Sequence, residues 1–148
     1  MRDNRNRGDA SSRAPCLALA AEHAALGPRI AELRALLGGD FSWDDARIAL
    51  VQFRSTLQLH FALEESGGYL AEILASAPER AEAVAKLESE HSRMRTDLTR
   101  LLAEALVARE KADLRQSVCD FLAALAAHEH RENELSQHVL LVDGPGGD

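Results

Sequence analysis

Aromatic side chains are scarce in this chain of 148 residues, at 4% of positions, with a single tryptophan and a single tyrosine. Half-buried strands draw on such residues. Their shortage, beside an abundance of alanine, leucine, glutamate and arginine, favours helix over sheet. Cysteine is nearly absent: Cys16 and Cys119 are too few and too far apart for a disulfide framework and read as ordinary thiols. No run approaches the roughly 20 apolar residues that span a bilayer. Residues 1–14 lack the apolar stretch of a secretory signal, so the expected location is the cytoplasm. An excess of positive charge is missing as well. The net charge of -7 argues for a soluble protein and against non-specific nucleic-acid binding. Arg2, Arg5, Arg7 and Arg13 fall in what reads as a solvated, disordered tail.

What the chain does have is heptad spacing, in four long stretches. The first runs Leu19, His23, Leu26, Ile30, Leu33, Leu37, and the second Ala46, Leu50, Phe53, Leu57, His60, Glu64. The third runs Val84, Leu87, His91, Met94, Leu98, Leu101. The fourth runs Leu114, Val118, Phe121, Leu125, His128, Glu132, Leu135, Val139. Each predicts an amphipathic helix with one inward seam, so the expected fold is all-α, an antiparallel up-and-down four-helix bundle. Its expected span is 15–141, between a disordered tail over 1–14 and a flexible tail over 142–148.

Boundary signals agree with that division. Pro15 can open the first helix, and Gly38-Gly39 can close it. Ser42 with Asp45, and Asp113 with Gln116, resemble capping boxes for the second and fourth helices. Gly67-Gly68 interrupts the second, a short helical piece is expected from Tyr69 to about Ser76, and Pro78 suits the first turn of the third. Gly27-Pro28 lies inside the first helix, where proline removes a backbone hydrogen bond and a bend is expected.

The polar members of these seams repeat. His23, His60 and Glu64 recur as His91, His128 and Glu132, each 68 positions later. Histidine and glutamate four apart stack on one helix face. A lone seam histidine is ordinarily a core residue whose hydrogen bonds are met; four of them, two with a carboxylate at i+4 and all in repeat, point to metal binding. Burying these groups without partners would cost several kcal/mol for each ionised one, at an order-of-magnitude level. Shared cations remove most of that penalty. The ligand count predicts two ions, with two histidines each and two bridging glutamates, and open positions for water, dioxygen or another small ligand. Nitrogen and oxygen ligation without thiolate suits iron or manganese, with zinc as a further candidate.

The order His, His-x-x-x-Glu, His, His-x-x-x-Glu resembles the hemerythrin-like, or HHE cation-binding, family over roughly residues 16 to 141. The segments His60-Phe61-Ala62-Leu63-Glu64-Glu65 and His128-Glu129-His130-Arg131-Glu132 look like its signature helices. The resemblance implies a bundle around a non-haem di-iron centre, used in different members for dioxygen binding, sensing or iron handling. Carried over by position, the ligands would be His23, His60, Glu64, His91, His128 and Glu132. Oxygen-carrying members place a second histidine one turn past the third-helix histidine, where this chain has Arg95, so reversible dioxygen carriage is not the expectation. Glu129, beside His128, is a candidate replacement ligand, as some members use a His-Glu pair. Its counterpart in the first copy is Phe61, so the two metals should have unequal surroundings.

The neighbours read more plainly. Glu22 and Glu90 look solvated, His130 and His138 look like surface residues, Arg95 a surface or bridging charge, and Met94 and Tyr69 core. The expected function is a di-iron protein that binds or senses dioxygen or a related diatomic or peroxide ligand. A peroxide or nitric oxide reductase, or an iron store, remain as alternatives, because no catalytic group is evident beyond the metal centre. No nucleic-acid or membrane partner is expected, and no protein partner is indicated.

Overall fold

The computed structural model of the protein describes residues 25–66 and 68–142, with side chains as far as Gln137. Helix α1 covers residues 25–38 within that range. It is followed by α2 (Trp43–Ser66), the short α3 (Tyr69–Ser76), a 3-10 turn (Pro78–Arg80), α4 (Ala81–Val107) and α5 (Lys111–Val142). No strand occurs among the described residues.

The long helices form an up-and-down four-helix bundle, and the contacts between their ends give the directions. Arg47, near the start of α2, donates to the carbonyl of Ala105 at the end of α4 at 2.9 Å. Glu64, near the end of α2, meets His91 in the first half of α4 at 2.8 Å. Likewise Ser117 of α5 donates to Glu104 late in α4 at 2.9 Å, whereas His128 further along α5 reaches Glu90 early in α4 at 2.7 Å. Arg115, early in α5, donates to the carbonyl of Leu37 at the end of α1. Arg29 of α1 donates to Gln52 of α2 at 3.4 Å.

Heptad phase predicts the burial closely. Every described seam residue of α2, α4 and α5 is buried, and in α1 only Ile30 is partly exposed. Leu26 and Leu33 are both 1% exposed, so the seam runs unbroken across Pro28 inside α1. Leu19, His23 and Pro15 lie outside the described residues.

At the helix ends the outcome is mixed. Ser42 caps α2, its Oγ accepting from the Asp45 amide at 3.1 Å. The second capping box does not form. The Asp113 amide already donates to the carbonyl of Glu110 at 3.2 Å, so α5 begins at Lys111 and Asp113 sits inside its first turn. Gln116 turns forward instead, donating to Asp120 at 2.9 Å. Gly68, with φ of 93°, takes the left-handed conformation that lets α3 leave α2 at once. Pro78 opens the 3-10 turn ahead of α4 rather than α4 itself.

Two apolar cores result. The larger runs from Leu37, Phe41 and Ala105 at one end to Phe61, Met94 and Leu125. The smaller joins Tyr69, Leu70 and Ile73 of α3 to Val84, Leu87 and Leu135. On α4 the chain passes from Leu87 through Glu90 and His91 to Met94, and on α5 from Leu125 through His128 and Glu132 to Leu135, all buried. A polar layer therefore separates the cores.

Candidate metal centre

That layer holds His60, Glu64, His91, His128 and Glu132, each no more than 1% exposed. Their i,i+4 spacing on α2 and α5, and the matching height of His91 on α4, aim the side chains at one region. Glu64, His91, His128 and Glu132 each offer one ligand atom within 4.8 Å of the others. His91 Nε2 lies 2.8 Å from Glu64 Oε2 and 3.0 Å from His128 Nε2, and His128 Nε2 lies 3.4 Å from Glu132 Oε2. The other Glu64 oxygen, Oε1, lies against His60 Nε2. Glu64 thus turns one oxygen to each of two histidines on different helices. His23 is outside the described residues. Glu129 is half-buried on the flank of α5 and does not belong to the four-residue group.

The outward faces of two imidazoles decide which way their protons point. His91 Nδ1 is 2.8 Å from Glu65 Oε1, and Glu65 is gripped by Arg95 through contacts of 3.3 and 2.9 Å. His128 Nδ1 is 2.7 Å from Glu90 Oε2, which also accepts from Arg131 at 2.8 Å. Burial is the largest influence on both carboxyls and pushes their pKa values up. The hydrogen bonds and charge of Arg95 with His91, and of Arg131 with His128, outweigh it and hold both below the usual glutamate value. Ionised carboxylates only accept, so both Nδ1 atoms must donate.

A neutral imidazole has one proton, and a neutral ring that donates outward from Nδ1 leaves Nε2 with only its lone pair. The two Nε2 lone pairs then face each other and the Glu64 carboxylate. Both Glu64 oxygens are buried without a properly oriented donor. Acceptors converging at 2.8 and 3.0 Å repel unless a cation lies among them. Metal would fit this set, because two imidazole nitrogens and a carboxylate oxygen converge with no thiolate among them, the donor types a borderline divalent cation takes. Without metal a proton must serve. Burial pulls the pKa of His128 down, but hydrogen bonds from Glu132 and Glu90, helped by the charges of Glu132 and Glu64, raise it above the ordinary imidazole value.

Phe61 forms the wall of the centre. It is fully buried and stacks on His91, with ring centres 4.1 Å apart and planes at 17°, while meeting His128 edge-on at 5.9 Å. The Arg95 guanidinium lies over the Phe61 ring at 5.5 Å. On the outer side of the Glu90 arm a cleft of about 560 Å3 opens, lined in part by Arg80, Lys86 and Arg131.

Several flanking residues differ from expectation. Glu90 is buried, at 6% exposure, and hydrogen-bonded rather than solvated, because His128 and Arg131 of α5 cover it. Arg95 is a bridging charge, and its partner is Glu65. Glu65 and Arg131 were not foreseen as site residues at all. The available signal was adjacency: Glu65 follows Glu64, Glu90 precedes His91, and the arginines stand four and three residues past His91 and His128. Met94 and Tyr69 are core residues, and His130 is exposed beside Glu134 at 3.2 Å. Glu22 and the His138 side chain are outside the described residues.

Fold and site together define a helical bundle with a buried cluster of histidine and glutamate in its core that could hold a metal ion. The family model described as the hemerythrin HHE cation binding domain matches residues 17–138, and the chain belongs to that family. Neither the curated proteins nor the solved structures contain a match. No described helix is long and apolar enough to cross a membrane.

Proposed function

We propose that this chain is a di-iron protein that binds or senses dioxygen or a related small ligand. The proposed ligands are His23, His60, Glu64, His91, His128 and Glu132. The observation that carries the reading is the convergence of His91 Nε2, His128 Nε2 and Glu64 Oε2 with both Nδ1 atoms paired outward to Glu65 and Glu90. Glu64 supports two ions rather than one, because its second oxygen serves His60. Mixed imidazole and carboxylate donors without thiolate favour iron, with manganese and zinc as the competing metals. Bound iron would supply redox chemistry and an open coordination position. The chain's own part is to hold the donors apart from water: Phe61 seals one side, Glu64 and Glu132 supply negative charge, and Arg95 stands as a clamp on Glu65 where oxygen carriers of the family have a further histidine.

Metal analysis of the protein purified from iron-replete cells tests the reading. Close to two equivalents of iron are expected. Under half an equivalent of any transition metal, with His60→Ala and Glu132→Ala leaving stability unchanged, would sink it. Mixing the reduced protein with dioxygen, nitric oxide or peroxide then separates binding, seen as a stable reversible adduct, from catalytic turnover.

A further inference from the structure

Two side-chain arms around the centre have the same construction. In each, a histidine Nδ1 donates to a glutamate from a neighbouring helix, and an arginine on the histidine's own helix holds that glutamate. One arm is His91–Glu65–Arg95, with α4 supplying the ends and α2 the middle. The other is His128–Glu90–Arg131, with α5 supplying the ends and α4 the middle. Glu65 and Glu90 occupy different sequence offsets from their histidines, so the 68-residue repeat does not generate the likeness. The geometry arrives at it twice.

We infer that Glu65 and Glu90 are positioning residues for the ion held between His91 and His128, and that Arg95 and Arg131 keep them in that role. The inference rests on the metal-centre reading above and adds residues outside its ligand set. The reasoning is chemical. A carboxylate on Nδ1 fixes the tautomer, leaving the Nε2 lone pair for the metal, and makes the imidazole a stronger donor. It also carries a hazard, because a carboxylate so close to a cation can swing inward and become a ligand itself. The arginine removes that freedom. Arg95 holds both oxygens of Glu65, at 3.3 and 2.9 Å. Arg131 holds the same Glu90 oxygen that receives His128 Nδ1, at 2.8 Å. Each arm also ties two helices together, so a purely structural role is the rival explanation and the test must separate the two.

Cobalt(II), whose visible spectrum reports coordination, is titrated into the chelator-treated full-length protein, with thermal unfolding of the metal-free form measured in parallel. Wild type should take up two equivalents. Glu65→Gln and Glu90→Gln keep an acceptor but lose the charge; each should weaken one equivalent by about 10- to 100-fold and alter its spectrum, leaving the other equivalent tight. Arg95→Gln and Arg131→Gln should do the same to a smaller degree, and they decide the matter if a glutamate variant fails to fold. Two equivalents bound with wild-type affinity and spectrum in the folded variants overturn the positioning role. So does a fall in metal-free stability with no change in affinity or spectrum. Failure of wild type to bind cobalt overturns the metal-centre reading itself, a result distinct from either of these.

Discussion

Replacing Glu64 by glutamine should stabilise the metal-free protein and destabilise it relative to wild type once metal is present. In the wild-type chain both Glu64 oxygens are buried and lack a properly oriented donor, while His91 Nε2 faces Oε2 at 2.8 Å with its lone pair. A buried polar group left in that condition costs about 1–3 kcal/mol. The glutamine amide has the same shape, carries no charge, and can donate to His91 Nε2 while His91 continues to donate to Glu65. Relief of one such penalty amounts to about 1–3 kcal/mol. For a chain of this size that raises the melting temperature by about 2–4 °C per kcal/mol. Metal acts in the other direction. At a free concentration one hundred times its dissociation constant, an ion bound only by the native state adds about 2.7 kcal/mol. Wild type should gain that, and Glu64→Gln should lose most of it, since the carboxylate facing both His60 and His91 is gone. The assay is thermal unfolding of both proteins with chelator and with saturating manganese or cobalt, at a pH above the raised His128 value, where the Glu64 charge has no imidazolium to stabilise. The expected result is a crossover, the variant melting higher in chelator and lower in metal. A variant that melts below wild type in chelator, or that gains as much from metal, refutes the converging-acceptor argument.

Phe61→Ala should cost about 3–5 kcal/mol in chelator, measured by denaturant unfolding, because it empties a fully buried site and removes the ring stacked on His91; a loss under 1 kcal/mol, on the same order-of-magnitude scale, would mean the wall is not packed as described. The pH dependence follows from His128, whose folded pKa is raised by Glu132 and Glu90 against the opposing effect of burial. In the metal-free protein its stabilising contribution is fully present below the ordinary imidazole range and disappears as pH rises through the raised value. A metal ion must displace the same proton, so cobalt affinity should climb with pH up to that value and level off above it; an affinity flat across the imidazole range contradicts this. Gly68→Ala should destabilise by about 1–2 kcal/mol through backbone strain alone, since φ is 93° and no atom lies within 4 Å of the added Cβ. An unchanged melting temperature would show that α3 can leave α2 by another path.

Heptad phase was enough to place the bundle and five of the six repeated polar residues in one layer, because a seam position dictates facing more strictly than residue type does. His60 and Glu64, or His128 and Glu132, could hardly avoid each other once their helices formed. The arms were illegible for the same reason. Glu65, Glu90, Arg95 and Arg131 lie off the seam, where a charged residue is ordinarily solvated, and only the neighbouring helix turns them into partners. Glu90 shows this most clearly: it is covered by His128 and Arg131 of α5, 38 and 41 residues further on, and not by its own stretch of chain. The failed capping box at Asp113 has a more local origin. Helix ends depend on which of several adjacent residues first closes a turn, and Glu110 did so ahead of Asp113.

The polar layer between the two apolar cores has a consequence for how the molecule comes apart. The end of the bundle beyond the layer, with α3, the start of α4 and Leu135 of α5, is attached to the rest through helices whose facing side chains there are carboxylates and imidazoles around the single ring of Phe61. On the metal-centre reading, cohesion across that plane depends on whether a cation occupies it. With metal bound, the chain should unfold as one unit; stripped of metal, its far end should open first. Amide hydrogens of Leu70 and Ile73 would then exchange faster than those of Leu50 and Leu98, and the gap between the two groups would close as metal is restored.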